Sequence, residues 1–101
     1  MISYTGGSGE SIEDAIVIAG ARQHFEAIAA EYEYLRKRFA ESGTEYKILL
    51  QELVEDGDRR YDRITVGFPD GSTAKTYFDI TESFREFHET LRKLIEGQGK
   101  T

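Results

Sequence analysis

Apolar side chains recur at alternating steps of four and three residues between Ala21 and Glu41. On a helix of about 3.6 residues per turn this spacing places them on one face, which has to be buried. We therefore predict a helix over 21–41, ended by Gly43, which can adopt the left-handed conformation that terminates helices. The residues expected in the buried stripe are Ala21, Phe25, Ile28, Tyr32, Leu35 and Phe39.

The segment before this helix, residues 11–20, contains three consecutive β-branched side chains at 16–18. Such residues are stiff at χ1 and favour a strand, although Ser11 and Asp14 are spaced like a helix capping box. We predict a strand, after which Gly20 turns the chain into the helix.

Three further strands are indicated by alternating apolar and polar positions over 45–55, 60–68 and 73–80. Turn residues at 56–58 and at 69–72 separate them, and the second turn contains both proline and glycine. The strand over 45–55 is apolar on both faces. We therefore expect it to be central in the sheet or covered by a partner.

A second helix is predicted from about Thr81 to Gly97, because apolar residues again recur at helical spacing. Its apolar stripe comprises Phe84, Phe87, Leu91, Leu94 and Ile95. The fold class predicted is α+β: a two-layer sandwich of order β-α-β-β-β-α, with a four-stranded mixed sheet and both helices on one face. The first strand can pair with either the second or the fourth, and periodicity does not choose between them.

The chain has 101 residues, which is enough for one core and so for one domain. We assign the domain to 11–97, with a flexible glycine-rich segment at 1–10 and a disordered tail at 98–101. There is no cysteine, so disulfides and thiolate metal sites are excluded, and a cytoplasmic location is expected. The longest apolar run is too short to span a bilayer, and no association with a membrane is expected.

The formal net charge is −6, which favours basic partners over nucleic acid or anionic lipid. The sheet face without helices is predicted to carry enough apolar surface to require contact with another protein. We therefore expect an interaction module, either a homodimer or a complex with a basic protein. The interface residues predicted on this face are Leu49, Leu53, Tyr61, Arg63, Lys75 and Tyr77.

A first alternative is that the same face binds nucleic acid, since Tyr61 and Tyr77 alternate with Arg63 and Lys75, and aromatic rings with nearby cations can stack bases. The charge of residues 45–80, five basic and eight acidic, opposes this use.

From Ala21 onward the element order resembles that of double-stranded RNA-binding domains. The resemblance implies phosphate contacts from a lysine-rich start of the last helix. In this chain the matching residues 81–86 read TESFRE, with one arginine and two glutamates. This departure weakens the implied contact, because affinity for nucleic acid depends on the number of phosphates neutralised.

A second alternative is a small enzyme with a pocket assembled from His24 and His88 together with Glu13 and Asp14. Such a site would act by general acid–base catalysis, which depends first on geometry. A zinc site usually needs a third protein ligand, which no spacing supplies, so no metal and no other cofactor are expected. We favour binding over catalysis.

Overall fold

The structure, a computed structural model of the chain, describes residues 1–85 except for the side chain of His24. It contains five strands, a helix that continues into a short π-helical segment, and helical residues at 81–85, where the second helix was predicted to begin. The remainder of the predicted second helix and the predicted tail at 98–101 lie outside the described residues. The elements are β1 (Ser3–Gly6), β2 (Ile16–Ala19), α1 (His24–Leu35) with its π-helical extension (Arg36–Ala40), β3 (Lys47–Asp56), β4 (Arg59–Gly67) and β5 (Thr73–Asp79).

The strands form one mixed sheet in the order β1-β2-β5-β4-β3. β2 runs parallel to β5, with Ile16 opposite Phe78, and the other pairs are antiparallel. The α+β class with a mixed sheet is confirmed, whereas the predicted number of four strands is wrong. The pairing left open by the sequence is now decided: the first predicted strand, β2, lies beside the last one.

The additional strand comes from the N-terminal segment that was predicted to be flexible. Ser3–Gly6 pairs with β2, and the loop that follows is held by backbone hydrogen bonds. The N–H of Gly9 donates to the carbonyl of Asp14 at 2.7 Å, and the N–H of Tyr77 donates to the carbonyl of Gly9 at 2.8 Å. Gly9 has φ +84°, and a Cβ there would lie 2.7 Å from Cδ1 of Ile16. The glycine therefore allows a close approach to the core rather than adding flexibility.

Helix α1 turns a different face to the sheet from the one predicted. Phe25 and Tyr32 are 64% and 41% exposed, whereas Ala27, Ala30 and Glu31 are buried. The buried face is rotated by roughly a third of a turn from the predicted stripe. Helix α1 therefore buries two alanines and a glutamate instead of the two aromatic residues of the predicted stripe. Of the predicted stripe, Ala21 and Leu35 are fully buried.

The hydrophobic core lies between α1 and one face of the sheet. The even-numbered residues of β4 point into it, and Phe78 of β5 meets the ring of Tyr34 edge-on, with centroids 5.6 Å apart. On the opposite face the side chains of β4 are partly exposed, except for Tyr61, which is 8% exposed. Core side chains from the strands and the segment after β5 include Ile16, Ile18, Ile64, Val66, Phe78 and Ile80.

Strand β3 lies at an edge of the sheet, so the first of the two alternatives, a central position, is wrong, and cover by a partner stays a prediction. It pairs with β4 on one side only among the described residues. Its outer edge therefore carries unpaired backbone groups beside exposed apolar side chains, namely those of Ile48, Leu49, Leu50 and Leu53.

No helix within residues 1–85 is both long enough and apolar enough to cross a membrane.

Candidate functional site

We call the sheet surface turned away from α1 the open face. Cross-strand pairing places Arg63 opposite Tyr77, Tyr61 opposite Asp79, and Thr65 opposite Lys75. Residues directly opposite one another in an antiparallel pair point to the same side of the sheet. The structure therefore brings four of the predicted interface residues together on one surface: Tyr61, Arg63, Lys75 and Tyr77.

The middle of the open face is organised around Arg63. Its guanidinium contacts the carboxylate of Glu52 at 3.0 Å, and its Cζ lies 5.9 Å from the centroid of the Tyr77 ring. Hydrogen bonds with Tyr77 and Glu52 raise the pKa of Arg63. The positive charge is thus already compensated inside the molecule, which leaves less of it available for a phosphate backbone.

A β-bulge at Leu49 decides which leucines reach the open face. The register between β3 and β4 shifts between Ile48 and Leu50, so the alternation of side chains changes at that point. Leu49 lies over the open face, where Gly67 leaves room for it: a Cβ on Gly67 would be 2.8 Å from Cδ1 of Leu49. Gly67, which ends β4 directly after three β-branched residues, was the signal in the sequence for this close approach.

The same bulge separates Leu53 from the other predicted interface residues. Leu53 is opposite Asp62, whose side chain points to the α1 side, whereas Leu50 is opposite Thr65 on the open face. The expectation that Leu49 and Leu53 share a face is therefore wrong. Leu50 takes the position on the open face that was expected for Leu53.

One end of the open face carries an acidic cavity of about 670 Å³. Glu13 and Asp14 line it from the loop before β2, and Asp56 lines it from the end of β3. The remaining carboxylate, that of Asp79, is paired with Arg59. We call this region the acidic end.

The opposite end of the face carries Lys47, opposite Gly67, and Lys75, opposite Thr65. A second cavity, of about 920 Å³, borders this lysine end and is lined largely by apolar groups, among them Leu49 and Phe68. Glu45 also lines this cavity beside Lys47.

Asp79 anchors the end of β5. One carboxylate oxygen accepts the N–H of Thr81 at 3.0 Å and its hydroxyl at 2.7 Å, and the other pairs with Arg59. Burial by itself would raise the pKa of Asp79, but the hydrogen bonds from Thr81 and Arg59 outweigh it and hold that pKa below its usual value. The pair fixes the direction in which the chain leaves the sheet.

A second polar cluster lies between α1 and the sheet. Nε2 of Gln51 donates to Asp62 at 3.2 Å and to Glu31 at 3.4 Å, and the hydroxyl of Tyr32 donates to Oε1 of Gln51 at 2.8 Å. Burial, a hydrogen bond with Asp62 and the charge of Asp62 raise the pKa of Glu31 to about 10. Glu31 is thus protonated at neutral pH and can donate to Asp62.

Sequence reasoning missed this carboxyl pair. Asp62 occupies the same strand face as Ile64 and Val66, both fully buried, so its position in the alternation was the signal for a buried acid. Four surface cavities along the described residues are lined by other side chains, not by Glu31 or Asp62. We therefore assign the pair to the contact between helix and sheet.

Of the proposed acid–base residues, Glu13 and Asp14 line the acidic end. The side chain of His24 and all of His88 lie outside the described part of the chain. Within that part, no group of three or more histidine, cysteine, aspartate or glutamate residues is placed to hold a metal ion.

No protein-family model, curated protein or solved structure matches this chain. The likeness in element order to double-stranded RNA-binding domains therefore has no support beyond topology.

Proposed function

We propose that this domain is a protein-interaction module that forms a homodimer through its open face. The observation that carries the proposal is the exposure of adjacent leucines on that face, with Leu49 57% and Leu50 50% exposed. Adjacent large apolar side chains on a sheet surface without a covering layer are typical of contact sites. A cysteine-free chain suits the reducing cytoplasm, where we place this function.

The side chains around the leucines support protein contact. Tyr77 and Arg63 lie in the middle of the face, and tyrosine and arginine are enriched at the centres of protein interfaces. Because Arg63 is held by Glu52 and by the Tyr77 ring, the surface is ordered before it binds, which lowers the entropy lost on association.

Protein is favoured over nucleic acid by the charges. Two of the four cations on or beside the face, Arg59 and Arg63, are paired with carboxylates. The acidic end adds further negative charge, which would repel a phosphate backbone. A basic protein surface, or the lysine end of a second copy, is instead attracted to the acidic end.

The test uses two leucines of the same strand that point to opposite faces. Leu50 and Leu53 are 50% and 48% exposed, so Leu50→Lys and Leu53→Lys introduce the same charge at equal exposure. Sedimentation at tens of micromolar should show a dimer for the wild type and for Leu53→Lys, and a monomer for Leu50→Lys. Thermal melting of both variants checks that they are folded.

A wild type that sediments as a monomer contradicts the homodimer. A dimer that is lost with Leu53→Lys and retained with Leu50→Lys moves the contact to the α1 side and contradicts the open face as its site.

A further inference from the structure

We infer that the occupant of the open face is a second copy of this chain turned end for end, so that the acidic end of each copy meets the lysine end of the other. This inference rests on the proposed homodimer and specifies its geometry. The two sheets would pack face to face, at the separation of about 10 Å usual for stacked sheets.

The charges of the face are separated along the strands. Glu13 and Asp56 are exposed at the acidic end, and Lys47 and Lys75 are exposed at the lysine end. Among residues 1–85 none of these four has an ion-pair partner. The charges therefore remain available for contact with another molecule.

The two ends are too far apart to compensate each other within one copy. β4 spans nine residues between them, from Arg59 to Gly67. Eight steps of a strand measure about 26 Å. The screening length at physiological salt is only about 8 Å. A partner that supplies the opposite charge at each end would form ion pairs that one copy cannot form by itself.

A two-fold axis in the plane of the interface and perpendicular to the strands produces this match. It reverses the strand direction and keeps β3 over β3 and β5 over β5. With the axis at the level of Arg63, Lys47 of one copy lies over Asp56 of the other, because these residues pair with the two ends of β4. The same half-turn places Lys75 of one copy level with Asp79 of the other, which lines the acidic cavity.

The apolar residues of β3 match under the same operation. Leu50 is level with Thr65, two residues from Arg63 along β4, and Val54 is level with Tyr61, two residues on the other side. The half-turn therefore brings Leu50 of each copy over Val54 of the other. An axis parallel to the strands would instead stack acidic end on acidic end, where like charges repel.

The test reverses the charges at one end of the open face at a time. In Lys47→Glu/Lys75→Glu both ends of the face are acidic, and in Glu13→Lys/Asp56→Lys both ends are basic. Each variant alone should lose self-association by about tenfold or more in Kd, since like charges then meet at both contacts. An equimolar mixture of the two should form a dimer containing one copy of each, because every contact is again between opposite charges.

Sedimentation with one variant fluorescently labelled measures the mixed dimer, and Lys37→Glu, a charge reversal on the π-helical segment, serves as a control that should leave the dimer unchanged. Self-association of either reversed variant at wild-type strength, or a mixture that stays monomeric, overturns the end-for-end arrangement. If Leu50→Lys still abolishes the wild-type dimer in that case, the proposed function stands. A wild type that is monomeric contradicts both the homodimer and its end-for-end arrangement.

Discussion

The amide of Gln51 on β3 connects Glu31 on α1 to Asp62 on β4, because its Nε2 donates hydrogen bonds to the carboxyl groups of both residues. Burial and the neighbouring Asp62 raise the pKa of Glu31 to about 10, so Glu31 retains its proton at neutral pH. The contact between helix and sheet therefore contains a titrating group, and the first prediction follows from the direction of its pKa shift.

Replacing Glu31 with glutamine should stabilise the protein at alkaline pH. The pKa of Glu31 rises from 4.5 to about 10 on folding. Between these values the native state binds more protons than the unfolded state, so the free energy of unfolding falls as pH rises through this window. The neutral amide of Glu31→Gln removes this loss, worth on the order of 2–4 kcal/mol near pH 8. Urea denaturation from about pH 5 to about pH 9 measures how the free energy of unfolding changes with pH in the wild type and in Glu31→Gln.

Glu33→Gln is the matched control, because Glu33 lies on the same helix but pairs with Arg36 in solvent. Its pH profile should follow the wild type over this range. If the free energy of unfolding changes with pH equally in the wild type and in Glu31→Gln, the site does not raise the pKa of Glu31.

Replacing Gln51 with leucine should destabilise the protein more than replacing Tyr32 with phenylalanine. Gln51→Leu removes the only side-chain donor shown to reach both buried carboxyl groups within residues 1–85, at a cost of about 1–3 kcal/mol. Tyr32→Phe removes one exposed hydrogen bond, worth about 0.5–1.5 kcal/mol. Chemical denaturation at neutral pH gives both values, and a larger loss for Tyr32→Phe would contradict the bridging role of Gln51.

Replacing Asp79 with asparagine should destabilise the protein at neutral pH and much less in acid. The folded pKa of Asp79 is lowered from 3.8, so its contribution is present above that value and is lost as pH falls through the folded pKa. We expect a loss of about 1–3 kcal/mol near pH 6, because Thr81 and Arg59 then face a neutral acceptor. Asp58→Asn, at the exposed turn between β3 and β4, is the control and should change stability little. A deficit for Asp79→Asn that does not shrink in acid would contradict this account.

Replacing Gly9 with alanine should destabilise the protein more than replacing Gly43 with alanine. Both glycines have positive φ, at +84° and +80°, so both variants pay the same backbone penalty of about 1–2 kcal/mol. Only at Gly9 does the added Cβ meet other atoms, those of Ile16 and Thr76. The difference between the two melting temperatures therefore measures how tightly the N-terminal loop packs. Equal decreases in melting temperature would mean that the N-terminal loop accommodates the added Cβ at Gly9 without further loss of stability.

The three-stranded meander could be predicted closely from the sequence. The predicted strands 60–68 and 73–80 differ from β4 and β5 by one residue at most at each end. Their alternation of apolar and polar residues and the turn at 69–72 are local signals, which do not depend on distant parts of the chain. The same local pattern placed five of the six predicted interface residues on one face, all except Leu53.

The errors arose where two patterns competed or where a partner was distant. On α1 the large residues at one spacing and the alanines at another both fit a helix, and only the sheet beneath it selected the alanine face with Glu31. On β3 the bulge at Leu49 reversed the alternation, because the open space above Gly67 belongs to another strand. No window of local sequence contains such information.

By itself the sequence determined the order of the strands in the meander and helix α1, the turns between them and the acidic, cysteine-free character of the chain, because these depend on neighbouring residues or on composition. Tertiary structure alone decided that Ser3–Gly6 becomes a strand, which face of α1 is buried, and that Glu31 meets Asp62. These outcomes depend on which surfaces can approach closely enough to exclude water, and that is a property of the assembled layers.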